Sequence, residues 1–237
     1  MMLRVLAAEF YKIRKKMIWF LVFLGPIGVV GLQGLNFGLR YDFLTRVYAN
    51  DLWGGVISNV QMLAVPALLM GIAILTSMIA TIEHQTNAWK QLLALPVSRL
   101  TVFTAKFALA CLLLAASSTL LGVGTVVLGL SLGYGADIPY ANVLTTIYYP
   151  FVASLPFIAL QIWLSIAVKN QAVPLTVGIT TAISALFAPR YPDWVPLKWP
   201  YVTDKWEQPL FFVGAGLVAG LALYAIGLAN FARKDVQ

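Results

Sequence analysis

The chain has 237 residues, of which 60% are hydrophobic and only 11% are charged, and its mean hydropathy is +0.84. A soluble domain usually carries about twice that charged fraction, so the composition excludes an ordinary soluble domain and requires much apolar surface to face lipid or other helices. The net charge is +7, and the basic residues stand mostly beside apolar stretches, which favours an anionic membrane surface over nucleic acid as their partner.

Residues 1–16 predict an amphipathic helix at the inner membrane interface, because apolar residues recur at three- and four-residue steps with basic residues between them. The apolar stripe comprises Leu3, Leu6, Phe10, Ile13 and Met17. The basic residues off this stripe are Lys12, Lys15 and Lys16. The alternative is a single helix in which this segment extends the first span. A cleaved signal peptide is not expected, since the apolar stretch is long and many more follow it.

Six apolar stretches follow, and each approaches the roughly 20 residues that a helix needs to cross the hydrocarbon core. They lie near 17–36, 56–80, 102–131, 147–168, 172–188 and 209–231. We therefore predict an all-α membrane protein with one transmembrane domain, an N-terminal interfacial helix and six spans. Only three residues separate the fourth and fifth spans, which predicts a tight helical hairpin.

Small residues, prolines and aromatic residues give local expectations. Gly216 and Gly220 stand four apart in the last span, which predicts close packing against another helix. Pro150 and Pro156 can each bend the fourth span, although prolines also occur in static bundles. The loop 189–208 is rich in proline and tryptophan. It predicts either short re-entrant helices at the outer interface or an ordinary belt of aromatic anchors.

The distribution of charge predicts that both termini are cytoplasmic. With that orientation, eleven Lys and Arg residues lie on the inner side and five on the outer side. Three acidic residues lie inside and six outside, so the inner side sums to +8 and the outer side to −1. An even number of spans agrees with this division.

The sequence lacks the usual signs of chemistry within the membrane. Lys106 and Lys169 fall near cytoplasmic ends of spans, where lysine can snorkel, so we expect no ionisable group deep in a span. This argues against a proton-coupled carrier. The single histidine, His84, makes a metal site improbable, and no Gly-rich phosphate loop is present. We expect no catalytic, metal or cofactor site in this chain.

The segment 81–99 joins the second and third predicted spans and carries the most specific pattern. Glu83, Asn87 and Lys90 stand at helical spacing, and Trp89 adds to an apolar face. Pro96 is expected to end this helix and Ser98 to cap the next one. A helix of this kind can lie flat on the membrane, be clasped by a partner protein, or serve as a solvated connection.

In this segment the chain resembles the membrane subunits of ABC-2 type ABC transporters. The resemblance rests on Glu83, Asn87, Trp89-Lys90, the run Leu95-Pro96-Val97-Ser98-Arg99, and Lys106. This residue pattern is most similar to that of the branch of bacitracin and lantibiotic self-protection permeases.

The resemblance implies that 81–99 is a coupling helix that fits a cleft on a cytoplasmic ATP-binding-cassette ATPase. It further implies that the ATPase holds the ATP and magnesium, that a second permease subunit completes the pathway, and that the complex lies in a prokaryotic cytoplasmic membrane. Glu83 would meet the ATPase, Trp89 would anchor the helix, and Arg99 would hold lipid phosphate or the partner. The implied coupling residues are Glu83, His84, Asn87, Trp89, Lys90, Pro96 and Arg99.

The expected function is that of the membrane subunit of an exporter for an antimicrobial peptide, a drug or a lipid-linked compound. Two alternatives remain. A self-sufficient secondary carrier or channel would transport without nucleotide, and a non-transport assembly or sensor subunit would stimulate no ATPase.

Overall fold

The computed structural model describes residues 2–85, 97–202 and 208–233, and these ranges form a helical bundle without strands. The first helices are α1 (Met2–Ile13), α2 (Ile18–Leu39), α3 (Tyr41–Val47) and α4 (Leu52–Gln85). They are followed by α5 (Arg99–Ser131), α6 (Tyr140–Ala153), α7 (Leu155–Ala167), α8 (Ala172–Ala185) and α9 (Pro209–Arg233). Two short 3-10 segments, Ala188–Arg190 and Pro196–Tyr201, lie between α8 and α9.

The helices define two ends of the bundle. The N-terminal end holds α1, the last turn of α4, the first turns of α5, the link 168–171 and the end of α9, and hydrogen bonds join these elements. At the distal end, Tyr41 donates to the carbonyl of Leu132, and Trp53 donates to that of Tyr134. The described flanks of the connections that the sequence assigns to the cytoplasm therefore lie at one end.

Four helices, α2, α4, α5 and α9, are long and apolar enough to cross a membrane. The fourth predicted span is a bent pair, since α6 and α7 meet at 43° at Ser154 and pass as a span only together. Pro156 has no N–H for the carbonyl four residues earlier, which accounts for the break. At the break itself, the hydroxyl of Ser154 donates to the carbonyl of Phe151 (2.8 Å).

The prediction of six spans is not confirmed. The fifth predicted span is the 14-residue helix α8, and a helix of that length covers about 21 Å, whereas the hydrocarbon core is about 30 Å thick. By length and composition, the described residues supply four spans, or five with the bent pair. The connection before α8 is short, as predicted, because only residues 168–171 join α7 to α8, but α8 packs mainly on α4 and contacts α7 little.

The segment 188–202 folds back into the distal end of the bundle and does not project as a loop. Tyr201 is buried, and its carbonyl accepts a hydrogen bond from Gln61, which lies more than two turns inside α4. Lys198, also buried, forms an ion pair with Asp193. The two short 3-10 segments lie in this part of the chain, and their depth in the membrane stays a prediction.

The N-terminal segment is a separate helix and does not extend the first span. Residues 14–17 break the chain between α1 and α2, and α1 packs along the start of α5. Ile13 is buried, and Leu6 and Phe10 pack against the main core. Leu3 and Met17 instead point away from the bundle, so only the middle of the predicted stripe faces protein.

The start of α5 follows the sequence prediction closely. Ser98 adopts an extended conformation before the helix, and its hydroxyl accepts a hydrogen bond from the backbone N–H of Thr101 (3.2 Å). This is the geometry of an N-cap, which satisfies one of the free donors in the first turn. The cap fixes where the segment after Pro96 enters the bundle.

Candidate functional site

Four charged side chains form a closed ring at the N-terminal end of the bundle. The Nζ of Lys106 lies 2.7 Å from Glu9 Oε2 and 2.7 Å from Glu83 Oε2. Lys12 contacts the other oxygen of each carboxylate, and its Nζ lies 2.8 Å from Glu83 Oε1. Positive and negative groups therefore alternate around the ring, and every neighbour is an opposite charge.

The ring lies inside the protein. The side chain of Lys106 has no exposed surface, and the side chains of Glu9 and Glu83 are 3% and 2% exposed. Lys12, at 30%, is the member that reaches toward the surface. Because a buried charge is costly unless it is paired and hydrogen-bonded, the alternating closure offsets the cost of burying these four groups.

The ring joins three helices on both sides of the predicted coupling segment. Glu83 lies two residues before the end of α4, and Lys106 lies two turns after the start of α5. Glu9 and Lys12 belong to α1. The two flanks of residues 86–98 are thus held to each other and to the N-terminal helix by charge-assisted hydrogen bonds.

The ring shifts the pKa values of its two members on α1, Glu9 and Lys12. Burial by itself raises the pKa of Glu9, but the charge and hydrogen bond of Lys106, together with Lys12, outweigh burial and hold that pKa below its usual 4.5. Burial lowers the pKa of Lys12, but hydrogen bonds to Glu83 and Glu9 raise it above its usual 10.5. Both groups are therefore held in their charged forms at neutral pH.

His84, next to Glu83, attaches the end of α4 to the opposite side of the bundle. Its Nε2 lies 3.0 Å from the carbonyl oxygen of Ser165 near the end of α7. Gln171, in the following link, donates to the same carbonyl (2.9 Å), and its Oε1 accepts a hydrogen bond from Ser77 of α4 (3.0 Å). Two adjacent residues of α4 thus bind opposite neighbours, which fixes the rotation of its last turn.

The predicted site residues divide into three groups. Glu83 and Lys12 join the ring, whereas His84 and Arg99 bind backbone carbonyls, with Arg99 reaching that of Ala232 (3.4 Å). Lys15 and Lys16 are exposed in the turn after α1. The remaining coupling residues lie outside the described residues, and they are Asn87, Trp89, Lys90 and Pro96.

Two expectations about charge are corrected. Lys106 does not snorkel, because its ammonium group points inward to Glu9 and Glu83 and has no exposed surface. Lys106 lies two turns within α5 and Glu83 near the end of α4, so both stand near helix ends, but both are buried between helices. Glu83 also does not present its carboxylate at the surface, where a direct contact with an ATPase would need it.

The sequence analysis missed Glu9 as a member of this site. The available signals were Glu9 and Lys12 three residues apart on one helix, and a lysine within an otherwise apolar run. Neither signal identifies a distant partner, and the ring joins Glu9 to Lys106, 97 residues away, and Lys12 to Glu83, 71 residues away. Within the described ranges, no three His, Cys, Asp or Glu side chains are placed to hold a metal ion.

The apolar bundle and the ring define a helical membrane protein in which buried charges join α4, α5 and α1. Comparison with known families agrees with this class. Residues 5–185 match the family described as ABC-2 family transporter protein, which is more than half of the chain. The chain therefore belongs to the ABC-2 family of transporter membrane proteins. No curated protein and no solved structure matched the chain significantly.

Proposed function

We propose that the chain is the permease subunit of an ATP-binding-cassette exporter that moves a hydrophobic or amphipathic substrate. Membership of the ABC-2 family over residues 5–185 is the observation that carries this proposal. The substrate class extends to antimicrobial peptides, drugs and lipid-linked compounds, and the bacitracin and lantibiotic branch is the proposed subfamily. ATP and magnesium are bound by a separate ATPase, and a second permease subunit, identical or related, completes the pathway.

In this proposal, residues 81–99 receive the motion of the ATPase. The ring supports this role, because it ties both flanks of the segment to α1 and leaves little freedom for either flank to move alone. A push on the segment would then move α4, α5 and α1 together. Glu83 acts from within the bundle as part of the ring, and Trp89 is the proposed contact with the ATPase.

Substitution of Trp89 tests the proposal and keeps all four charges of the ring in the sequence. The full chain is co-expressed with the ABC ATPase of its own organism, purified in lipid nanodiscs, and assayed for the retained ATPase and its hydrolysis rate. We expect Trp89→Ala to reduce the retained ATPase at least about fivefold, since a buried aromatic anchor commonly contributes more than 1 kcal/mol to an interface.

Trp194→Ala is the matched control, because Trp194 is 77% exposed at the distal end. It should leave the retained ATPase and the hydrolysis rate unchanged. Transport by the purified chain without nucleotide would instead establish a secondary carrier. Failure of any ABC ATPase to bind, or to be stimulated, would establish a non-transport subunit. Glu83→Ala is unsuitable here, since it would open the ring and leave Glu9 as the one carboxylate between Lys12 and Lys106.

A further inference from the structure

The ring has a second consequence, which concerns the surface charge of the N-terminal end. Glu9 and Glu83 are the acidic residues of that end within the described ranges, and both are buried. The exposed carboxylates of the described chain, Asp42, Asp51 and Asp137, all lie at the distal end. Within the described ranges, the N-terminal end therefore presents positive charge without exposed negative charge.

Four of these positive groups lie on α1 and the turn after it. They are Arg4, Arg14, Lys15 and Lys16, all exposed, and we name them the cationic face. Among the described residues, none of them forms an ion pair with a carboxylate. Arg4 lies on the exposed surface of α1, whereas Glu9 and Ile13 of that helix are buried, and the other three residues lie in the exposed turn that follows it.

Large apolar side chains are interspersed with the cationic face. Leu3 is 79% exposed and Tyr11 76%, and Met17 follows in the turn at 64%. The apolar helix α2 begins at Ile18, directly after this turn, so the face lies where that helix meets the membrane boundary. An interleaved apolar and basic surface at this depth fits lipid, in which acyl chains and phosphates are layered in the same way.

We propose that the cationic face binds the headgroups of anionic phospholipids. Guanidinium groups pair with phosphate oxygens in a bidentate manner, and lysine ammonium groups add point charges. A protein partner with an acidic surface is the competing occupant, but it would leave Leu3 and Tyr11 without the apolar layer that lipid supplies. The proposal goes beyond the transport assignment and does not depend on it.

The test measures which lipid the purified full chain retains. The chain is solubilised from bilayers of equal dioleoyl phosphatidylglycerol and dioleoyl phosphatidylcholine, purified in detergent, and its bound lipid is quantified by mass spectrometry. We expect retained phosphatidylglycerol to exceed phosphatidylcholine, and the triple variant Arg14→Gln, Lys15→Gln, Lys16→Gln to lower that ratio at least about fivefold. The matched control removes three exposed basic residues of the distal end, Arg40→Gln, Arg46→Gln and Arg190→Gln, and should keep the wild-type ratio.

A salt titration of the unmodified chain gives a second readout that does not depend on how a variant folds. Washing at 0.5 M instead of 0.05 M sodium chloride shortens the screening length to a few ångströms, so the preference for phosphatidylglycerol should fall severalfold. Equal retention of both lipids, or a preference that neither salt nor the triple variant changes, overturns the proposal. A triple variant that keeps its lipid preference but no longer retains its ATPase also overturns it, because the face would then bind protein.

Discussion

Lys106 shows at the scale of one residue why the ring must be treated as a unit. Its ammonium group is buried and touches one carboxylate from α1 and one from α4. Removing one charge from such a group leaves the others desolvated and incompletely paired, which costs about 3–5 kcal/mol. Removing an opposite pair restores neutrality and should cost less.

Lys106→Met should therefore lower the free energy of unfolding by about 3–5 kcal/mol. The double variant Glu83→Gln, Lys106→Met should be less destabilised than the sum of its two single variants. Denaturant unfolding of the chain in detergent measures all three. Lys169→Met, an exposed lysine at the same end, is the control and should change stability by less than about 0.5 kcal/mol. Additive single variants would show that Glu83 and Lys106 do not interact.

Ionisation of the ring predicts the direction of the pH dependence. The pKa of Glu9 is depressed in the folded chain, so the stability that its charge contributes is present above pH 4.5 and is lost as pH falls through the lower, folded pKa. The pKa of Lys12 is raised, so its contribution is present below pH 10.5 and is lost as pH rises through the higher, folded pKa. The carboxylate of Glu83 faces Lys12, the ammonium of Lys106 faces Glu9, and these two groups contact each other.

We expect a plateau of stability at neutral pH and a loss on acidification below about pH 4.5. Glu9→Gln should be less stable at neutral pH, and its stability should change less on acidification. Thermal unfolding midpoints measured between pH 3 and 8 test this prediction. Parallel pH curves for the two proteins would show that Glu9 does not contribute.

At the scale of elements, the bend between α6 and α7 is covered by α9. A Cβ atom added at Gly216 would lie 2.5 Å from the Cα of Ala153, and one at Gly220 would lie 2.6 Å from the Cβ of Leu155. Both glycines therefore face the bend, and their missing side chains allow the two backbones to approach. This agrees with the packing role predicted from their four-residue spacing.

Gly216→Ala should destabilise the chain by about 1–3 kcal/mol, because the added methyl group meets backbone atoms that cannot move aside. Gly214→Ala is the matched control in the same helix, since an added Cβ there meets nothing within 4 Å. It should be neutral or stabilising by up to about 1 kcal/mol, from the higher helix propensity of alanine. Unfolding midpoints in detergent compare the two, and equal effects would contradict close packing at Gly216.

Hydropathy and capping patterns predicted the bounds of some helices, because those bounds depend on residues that are close together in the sequence. The third and last spans begin and end within three residues of α5 and α9, and the cap at Ser98 was predicted from the proline before it. Pro150 and Pro156 indicated that the fourth span could bend, but hydropathy did not place the bend at Ser154, because a window of about 20 residues averages over one break. The ring was missed, because no local pattern shows which buried charges meet across three helices.

At the scale of the whole molecule, the N-terminal and distal ends of the bundle carry different connections between helices. A thiol introduced at one end or the other therefore tests the orientation of the chain in the membrane. Cys111 is the single cysteine, and its replacement by alanine provides a background for introduced thiols. Lys15→Cys and Lys169→Cys lie at the N-terminal end, and Asp137→Cys at the distal end. With cytoplasmic termini, an impermeant thiol reagent applied to intact cells should label only Asp137→Cys.

Permeabilising the cells should make the other two sites reactive and so confirm that they are accessible. Labelling of Lys15→Cys in intact cells would reverse the predicted orientation. Labelling of Lys169→Cys but not Lys15→Cys would contradict the placement of the link 168–171 at the same end as α1. The experiment also tests the inner location of residues 86–98, which join helices at that end.

The closed ring also limits how this chain can be recombined with its relatives. A chimaera that exchanges only the first twelve residues, or only the stretch containing Lys106, inherits part of a matched set unless the donor carries the same alternation of charge. Even a simple exchange of Glu83 and Lys106 places like charges side by side, because each then stands next to a residue of its own sign on α1. The natural boundary for a graft is therefore after Lys106, so that the amino-terminal helix, the connection and the first turns beyond it are transferred as one cassette.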